Sequence, residues 1–174
     1  MRVGILIGII STLTLCVNSP LQGSQPSNYA VQANIIYHFT KYIDWPNSKK
    51  SGDFIIGILG DTPLYNELKT IVTNKKAGDQ KILVKKLSPT AEAFDCHILF
   101  ITDDESHNAK RIVSRTTSRS ILIVSESDGL ASRGSCINFA IVQDRVKLQI
   151  NKNNIEERNL NIASELLKLG VLVK

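Results

Sequence analysis

Four short segments constrain this chain more than anything else in it. Residues 54–59, 82–84, 96–101 and 121–124 are apolar apart from His97, without the polar alternation of a half-exposed strand. Such runs read as strands buried on both faces. Helical stretches lie among them: Pro63 opens one that runs to about Val72, and another from Asp103 to Arg115 carries its acidic residues at the favourable N-terminal end. Apolar strands alternating with helices predict an α/β, three-layer sandwich, with a mostly parallel sheet, right-handed crossovers and helices on both faces.

The flanks complete the pattern. Ser27 is a good N-cap, and Val31, Ile35, Phe39 and Tyr42 recur at helical spacing through residues 29–43 until Trp45-Pro46 biases the chain toward extended geometry. Toward the other end, residues 136–141 and 146–150 alternate and are joined by Gln143-Asp144-Arg145, which predicts an antiparallel C-terminal hairpin. A last helix is expected after Asn151–Asn154, with Ile155, Ile162, Leu166 and Leu169 on one face and a break near Asn159. No repeat or linker interrupts the order, so a chain of 174 residues is expected to form one domain over 27–174.

The first 23 residues are different. Arg2 precedes a largely apolar stretch, residues 3–17, and the polar Asn18-Ser19-Pro20 follows too soon for a spanning helix. This predicts a signal peptide over 1–23, cut near Leu21-Gln22-Gly23, and hence an exported protein. Cys16 raises lipidation as a lesser alternative, since Leu15 stands where a small residue is preferred. Without the signal peptide, 20 basic and 16 acidic side chains give a net charge of +4. The pairs Lys49-Lys50, Lys75-Lys76 and Lys85-Lys86 are scattered and lack interleaved aromatics, so no nucleic-acid partner is expected. Only Cys96 and Cys136 remain, which excludes a disulfide scaffold.

The chain contains no G-x-S-x-G, P-loop, C-x-x-C, H-E-x-x-H or G-x-G-x-x-G pattern, so neither catalytic residues nor a cofactor are expected. His38, His97 and His107 fall on three different elements. Metal spacing occurs only within Asp103-Asp104-Glu105-Ser106-His107, where capping of a helix start is the simpler reading, and no metal is predicted. Two other constellations stand as candidates. Outside the carboxyl ends of the strands lie Asp61, Asp103, Asp104, Ser125, Glu126 and Asp128, which would line a ligand pocket or be solvated loop charge. For a partner, the candidates are the aromatic trio Phe39, Tyr42 and Trp45, read as core or as interface anchor, and the stripe of Lys110 or Arg111 with Arg115 and Arg119, read as an acid-binding or a solvated face.

Several ordered motifs resemble the YfiR-like family of bacterial periplasmic proteins over nearly the whole mature chain. They are the helix bearing Tyr29, Ala33, Phe39 and Tyr42 before Trp45-Pro46, then Ile58-Leu59-Gly60-Asp61, then Cys96-His97-Ile98-Leu99-Phe100-Ile101. Ile121 to Ser125 follows, with Gly129 and Gly134 through Phe139, and the series closes with Val146-Lys147-Leu148-Gln149-Ile150-Asn151 and Leu160-Asn161-Ile162-Ala163-Ser164-Glu165-Leu166-Leu167. The resemblance implies a non-catalytic regulator that inhibits a membrane-bound diguanylate cyclase through its periplasmic sensor domain, keeping cyclic di-GMP and biofilm formation low. A small-ligand sensor using the carboxyl-edge loops is the alternative, and a homodimer is left open. In some members the cysteine of the Cys-His strand pairs with one where this chain has Gly57, and the cysteine near Cys136 with one in the turn where this chain has Gln143. Both partners are absent, so Cys96 and Cys136 are expected to be free thiols.

Overall fold

A computed structural model describes residues 28–174, and in it the apolar runs become neighbours. Strands β2 (Phe54–Leu59), β4 (Gln80–Leu87), β5 (Ile98–Ile101), β6 (Leu122–Ser125) and β7 (Ile137–Val142) are parallel. Strand β8 (Arg145–Ile150) folds back on β7 as the expected hairpin. Two short strands finish the sheet: β3 (Lys76–Ala77) lies antiparallel to β4, and β10 (Gly170–Leu172) lies parallel to β8. The order is β10-β8-β7-β6-β5-β2-β4-β3.

Helix α2 (Leu64–Val72) carries the chain from β2 to β4, and α3 (Ala109–Thr116) carries it from β5 to β6 in the opposite direction along the sheet. Right-handed crossovers that step in opposite directions place their helices on opposite faces, which gives the three layers. Helix α1 (Asn28–Tyr42) packs beside α2. Its buried Ile36 and Phe39 enter the core, where the Phe39 ring stacks on Phe139 at 6.4 Å and Phe139 meets Phe100 at 6.4 Å. Full burial of each such side chain contributes about 1.5–3 kcal/mol.

The hairpin turn is the two-residue Gln143-Asp144, with φ of 51° and 58°. Both residues sit in the left-handed region, as the twist of the flanking strands demands. Asp144→Gly is expected to raise stability by about 0.5–1 kcal/mol, because relief of side-chain strain exceeds the added entropy of the unfolded chain. Thermal denaturation of the two proteins checks this.

The sequence misses in the tail. The single closing helix is instead α4 (Lys152–Glu156), a strand β9 (Asn161–Ile162), α5 (Ser164–Leu167) and then β10. Asn159 adopts φ 55° and ends the first piece, at the expected break. Ile162 then pairs antiparallel with Ile43 of β1 (Ile43–Asp44), at the exit of α1. A pairing more than a hundred residues long in sequence overrides the helical spacing. Smaller corrections are that β4 is longer than residues 82–84, β5 begins at Ile98, and a 3-10 turn (Ser106–Asn108) precedes α3 in place of a helix starting at Asp103.

Candidate functional site

The aromatic trio divides. Phe39 and Trp45 are buried in the core, and only Tyr42 stays half exposed. Both of the first two pack inward. Trp45 meets Phe54 edge-on at 5.0 Å and donates its Nε1 hydrogen to the His97 carbonyl at 3.3 Å.

His97 is the hub of this corner. Its ring stacks on Phe54 at 4.3 Å, and its Nδ1 accepts the Ile55 backbone N–H at 3.0 Å. With Nδ1 accepting, the proton resides on Nε2, which donates to the Lys49 carbonyl at 2.8 Å. The Lys49 ammonium donates to the Cys96 carbonyl at 3.2 Å and lies 3.7 Å from Asp95. One neutral imidazole thus fastens the segment after α1 to the starts of β2 and β5. Burial holds its pKa below the ordinary histidine value, helped by the Lys49 charge and opposed by the Lys49 carbonyl and Asp95.

The basic stripe is partly engaged within the fold. Arg111 Nη2 donates to the Pro89 carbonyl at 2.7 Å and Arg115 Nη1 to the Ala91 carbonyl at 2.8 Å, so both tie the β4–β5 connection onto α3. Lys110 is exposed, and Arg119 lies exposed beyond the end of α3.

The carboxyl-edge candidates do not converge on one cavity. Asp61 is exposed and pairs with Lys86 at 2.6 Å, an interaction that lowers its pKa. The cavity beside it takes in Thr62, Tyr65, Asn66 and Lys86, and none of Asp103, Ser125 or Asp128. Ser125 is fully buried, hydrogen-bonded to the Asn138 amide at 2.6 Å and to Ser135 Oγ at 3.0 Å, and therefore closed to a ligand as placed. Asp103 accepts from Ser127 Oγ at 2.6 Å, while Asp128 is exposed. Glu126 accepts from the Asp103 N–H at 3.4 Å, and burial raises its pKa, the Asp103 and Asp104 charges adding to the rise. Among the described residues no cluster of three metal-ligating side chains occurs.

A surface that sequence reasoning did not single out lies at the opposite edge of the sheet from β3. Leu169, Val171 and Leu172 are 69%, 64% and 59% exposed, with Ile141 and Val142 of the hairpin also open at 50% and 49%. Beside them a groove of about 340 Å³ runs between α1 and the hairpin, lined by Ile35, His38, Tyr42, Val146, Leu148, Leu166 and Leu169. Strand β10 approaches closely because it begins with Gly170. A Cβ there would collide with the Ile150 side chain and lie 3.0 Å from the Leu148 carbonyl oxygen. Among the described residues the outer rim of β10 has no strand partner. An unguarded apolar edge of this kind is an aggregation hazard unless something covers it. Leu169 and Val171 themselves were readable as apolar residues, but their exposure follows from the broken tail.

Cys96 and Cys136 are free and buried, and burial pushes their thiols up to about 12 and about 11. The expected signal peptide, Cys16 and the expected Ser27 cap lie outside the described residues, among which no helix is long and apolar enough to cross a membrane. Residues 29–171 match the sequence model of a family described as YfiR/HmsC-like. No curated protein matches the chain.

Proposed function

Because the chain belongs to the YfiR/HmsC-like family, we propose that it is an exported, non-catalytic regulator that holds a membrane-bound diguanylate cyclase inactive by binding the cyclase's periplasmic sensor domain. The bare apolar edge carries this reading. Leu169, Val171 and Leu172 expose large aliphatic side chains beside a strand rim that pairs with no other strand among the described residues. A partner domain that adds a strand, or lays an apolar face, on β10 would satisfy both needs at once. Tyr42 lines the adjoining groove and is the member of the aromatic trio placed to take part. The arginines keep a supporting role, since Arg111 and Arg115 are engaged within the fold.

The test is capture of the cyclase from detergent-solubilised native membranes by the full chain, with Leu169→Asp and Val171→Asp as comparison baits. Both positions are exposed, so the variants are expected to fold and melt as the wild type does. Each should retain about a tenth or less of the cyclase, the loss of an interface anchor worth above 1 kcal/mol. In cells the same variants should raise cyclic di-GMP. Wild-type bait that captures no cyclase, or variants that capture it equally, would overturn the reading.

A further inference from the structure

Lysines that are scattered in the sequence meet at the other end of the sheet. Lys69 of α2, Lys75 and Lys76 at the entry to β3, and Lys81 of β4 rim a groove of about 580 Å³ whose lining includes the apolar Val72 and Ile82. All four lysines are exposed, none is in an ion pair among the described residues, and no carboxylate lines the groove. Two tyrosines hold ammonium groups against their rings on the same flank. Lys75 and Lys41 lie 4.3 and 5.3 Å from the centre of Tyr37, and Lys69 and Lys86 each lie 5.4 Å from that of Tyr65.

The strand register makes this charge unfavourable to the fold. Lys76 and Lys81 are directly opposed in the β3–β4 pair, so two like charges stand side by side on one face. Protection of a sheet edge requires only one of them, and an acid at either position would protect the edge and form a cross-strand ion pair. Repulsion kept at an unpaired edge, around a groove with apolar lining, marks a surface that meets negative charge from outside.

We propose that the β3–β4 edge is a docking surface for an anionic lipid bilayer. The lysine stems can lie along the apolar lining while their ammonium groups reach lipid phosphates. The rings of Tyr37 and Tyr65 suit the headgroup layer, where amphipathic aromatics concentrate. The groove is open and its cations are exposed, as a surface contact requires and a small-anion pocket does not. This docking is independent of the cyclase reading: the apolar β10 edge lies at the far end of the same sheet, so both contacts can be made together.

Co-sedimentation of the full chain with vesicles tests it, comparing phosphatidylglycerol-containing with pure phosphatidylcholine vesicles at about 0.05 M and about 0.5 M salt. The apolar N-terminal segment is present in every protein compared, so its contribution cancels. Wild type should partition at least tenfold more strongly to the anionic vesicles at low salt and lose the difference at high salt, each lysine contributing about fivefold. Lys76→Glu, which shifts the charge by two, should bind about 25-fold less well and yet melt at a higher temperature, because it replaces a repulsion with an attraction to Lys81. The combined K69E/K75E/K76E/K81E protein should show no preference for anionic vesicles. Equal binding to both vesicle types by wild type, unchanged binding by Lys76→Glu, or reduced binding accompanied by a lower melting temperature overturns the proposal. So does displacement of the protein from vesicles by millimolar inorganic phosphate at constant ionic strength, which identifies a small-anion site.

Discussion

Replacing His97 with alanine is expected to destabilise the fold by about 3 kcal/mol and to remove an acid sensitivity that the wild type possesses. The Ile55 N–H, which donates to His97 Nδ1 at 3.0 Å, loses its acceptor, and a buried unpaired donor costs about 1–3 kcal/mol. The ring also leaves a cavity against Phe54 and Trp45, to which it packs at 4.3 and 6.1 Å. The Lys49 carbonyl is less affected, because Gln80 Nε2 still donates to it at 3.0 Å. The pH dependence follows from the neutral state of the ring. Its folded pKa is lowered by burial, so the unfolded chain takes up the proton first as the solution is acidified. The stabilising contribution is complete above about pH 6.5 and is lost as pH falls from there through the lower folded value. Protonated Nδ1 would face the Ile55 N–H as a second donor. Chemical denaturation of wild type and H97A between about pH 7.5 and about pH 4.5 measures the effect as the difference between two profiles. If both proteins lose stability in parallel, the acid response belongs to other groups.

This corner shows where sequence reading ends. The segment Cys96-His97 was legible as the start of a buried strand, and Trp45-Pro46 as the end of α1, since each rests on local pattern. That one imidazole accepts from residue 55 and donates to residue 49 depends on register across the sheet, which no spacing in the chain reveals. The hairpin was legible because alternation and the Gln143-Asp144 turn agree. The tail was legible only in part: Ile155 and Leu166 do lie in short helices, but the long-range pairing of Ile43 with Ile162 puts a strand between them, and Leu169 falls beyond the second helix, just before β10. The consequence for function is large, since that error hid the exposed β10 edge. Lys69, Lys75, Lys76 and Lys81 were likewise visible as charge but not as a cluster, because the topology brings them together. For the aromatic trio and the arginines, residue type left core and surface readings open, and only the fold shows that Trp45 is buried while Arg111 and Arg115 also hold backbone carbonyls of the β4–β5 connection.

Gly60→Ala is expected to cost about 3 kcal/mol, and the size of that loss bears on whether the carboxyl edge has room for a ligand. Gly60 follows β2 with φ +92°, a conformation that an alanine adopts only at a cost of about 1–2 kcal/mol. Its new Cβ would also penetrate Thr102 Oγ1 and lie 3.0 Å from Thr102 Cγ2 and 3.1 Å from Glu105 Cγ. Thr102 is buried and β-branched, with little rotamer freedom to retreat, so overpacking adds about 1–3 kcal/mol. Thr102 Oγ1 has no hydrogen-bond partner among the described residues, so Thr102→Ala alone should be mild. In the double variant the clash with Thr102 is gone, and the backbone strain and the closer contact with the flexible Glu105 side chain are left. A thermodynamic cycle should therefore return a coupling of about 1–2 kcal/mol between the two sites. Strong coupling means that the loops after β2 and β5 are pressed together, while the contacts of Asp103 with Ser127 and Glu126 close the gap between β5 and β6 in the same way. An edge filled by its own side chains leaves no space for a small molecule. Additive effects would instead mean that Thr102 moves aside freely, and that the edge can open where the strands end.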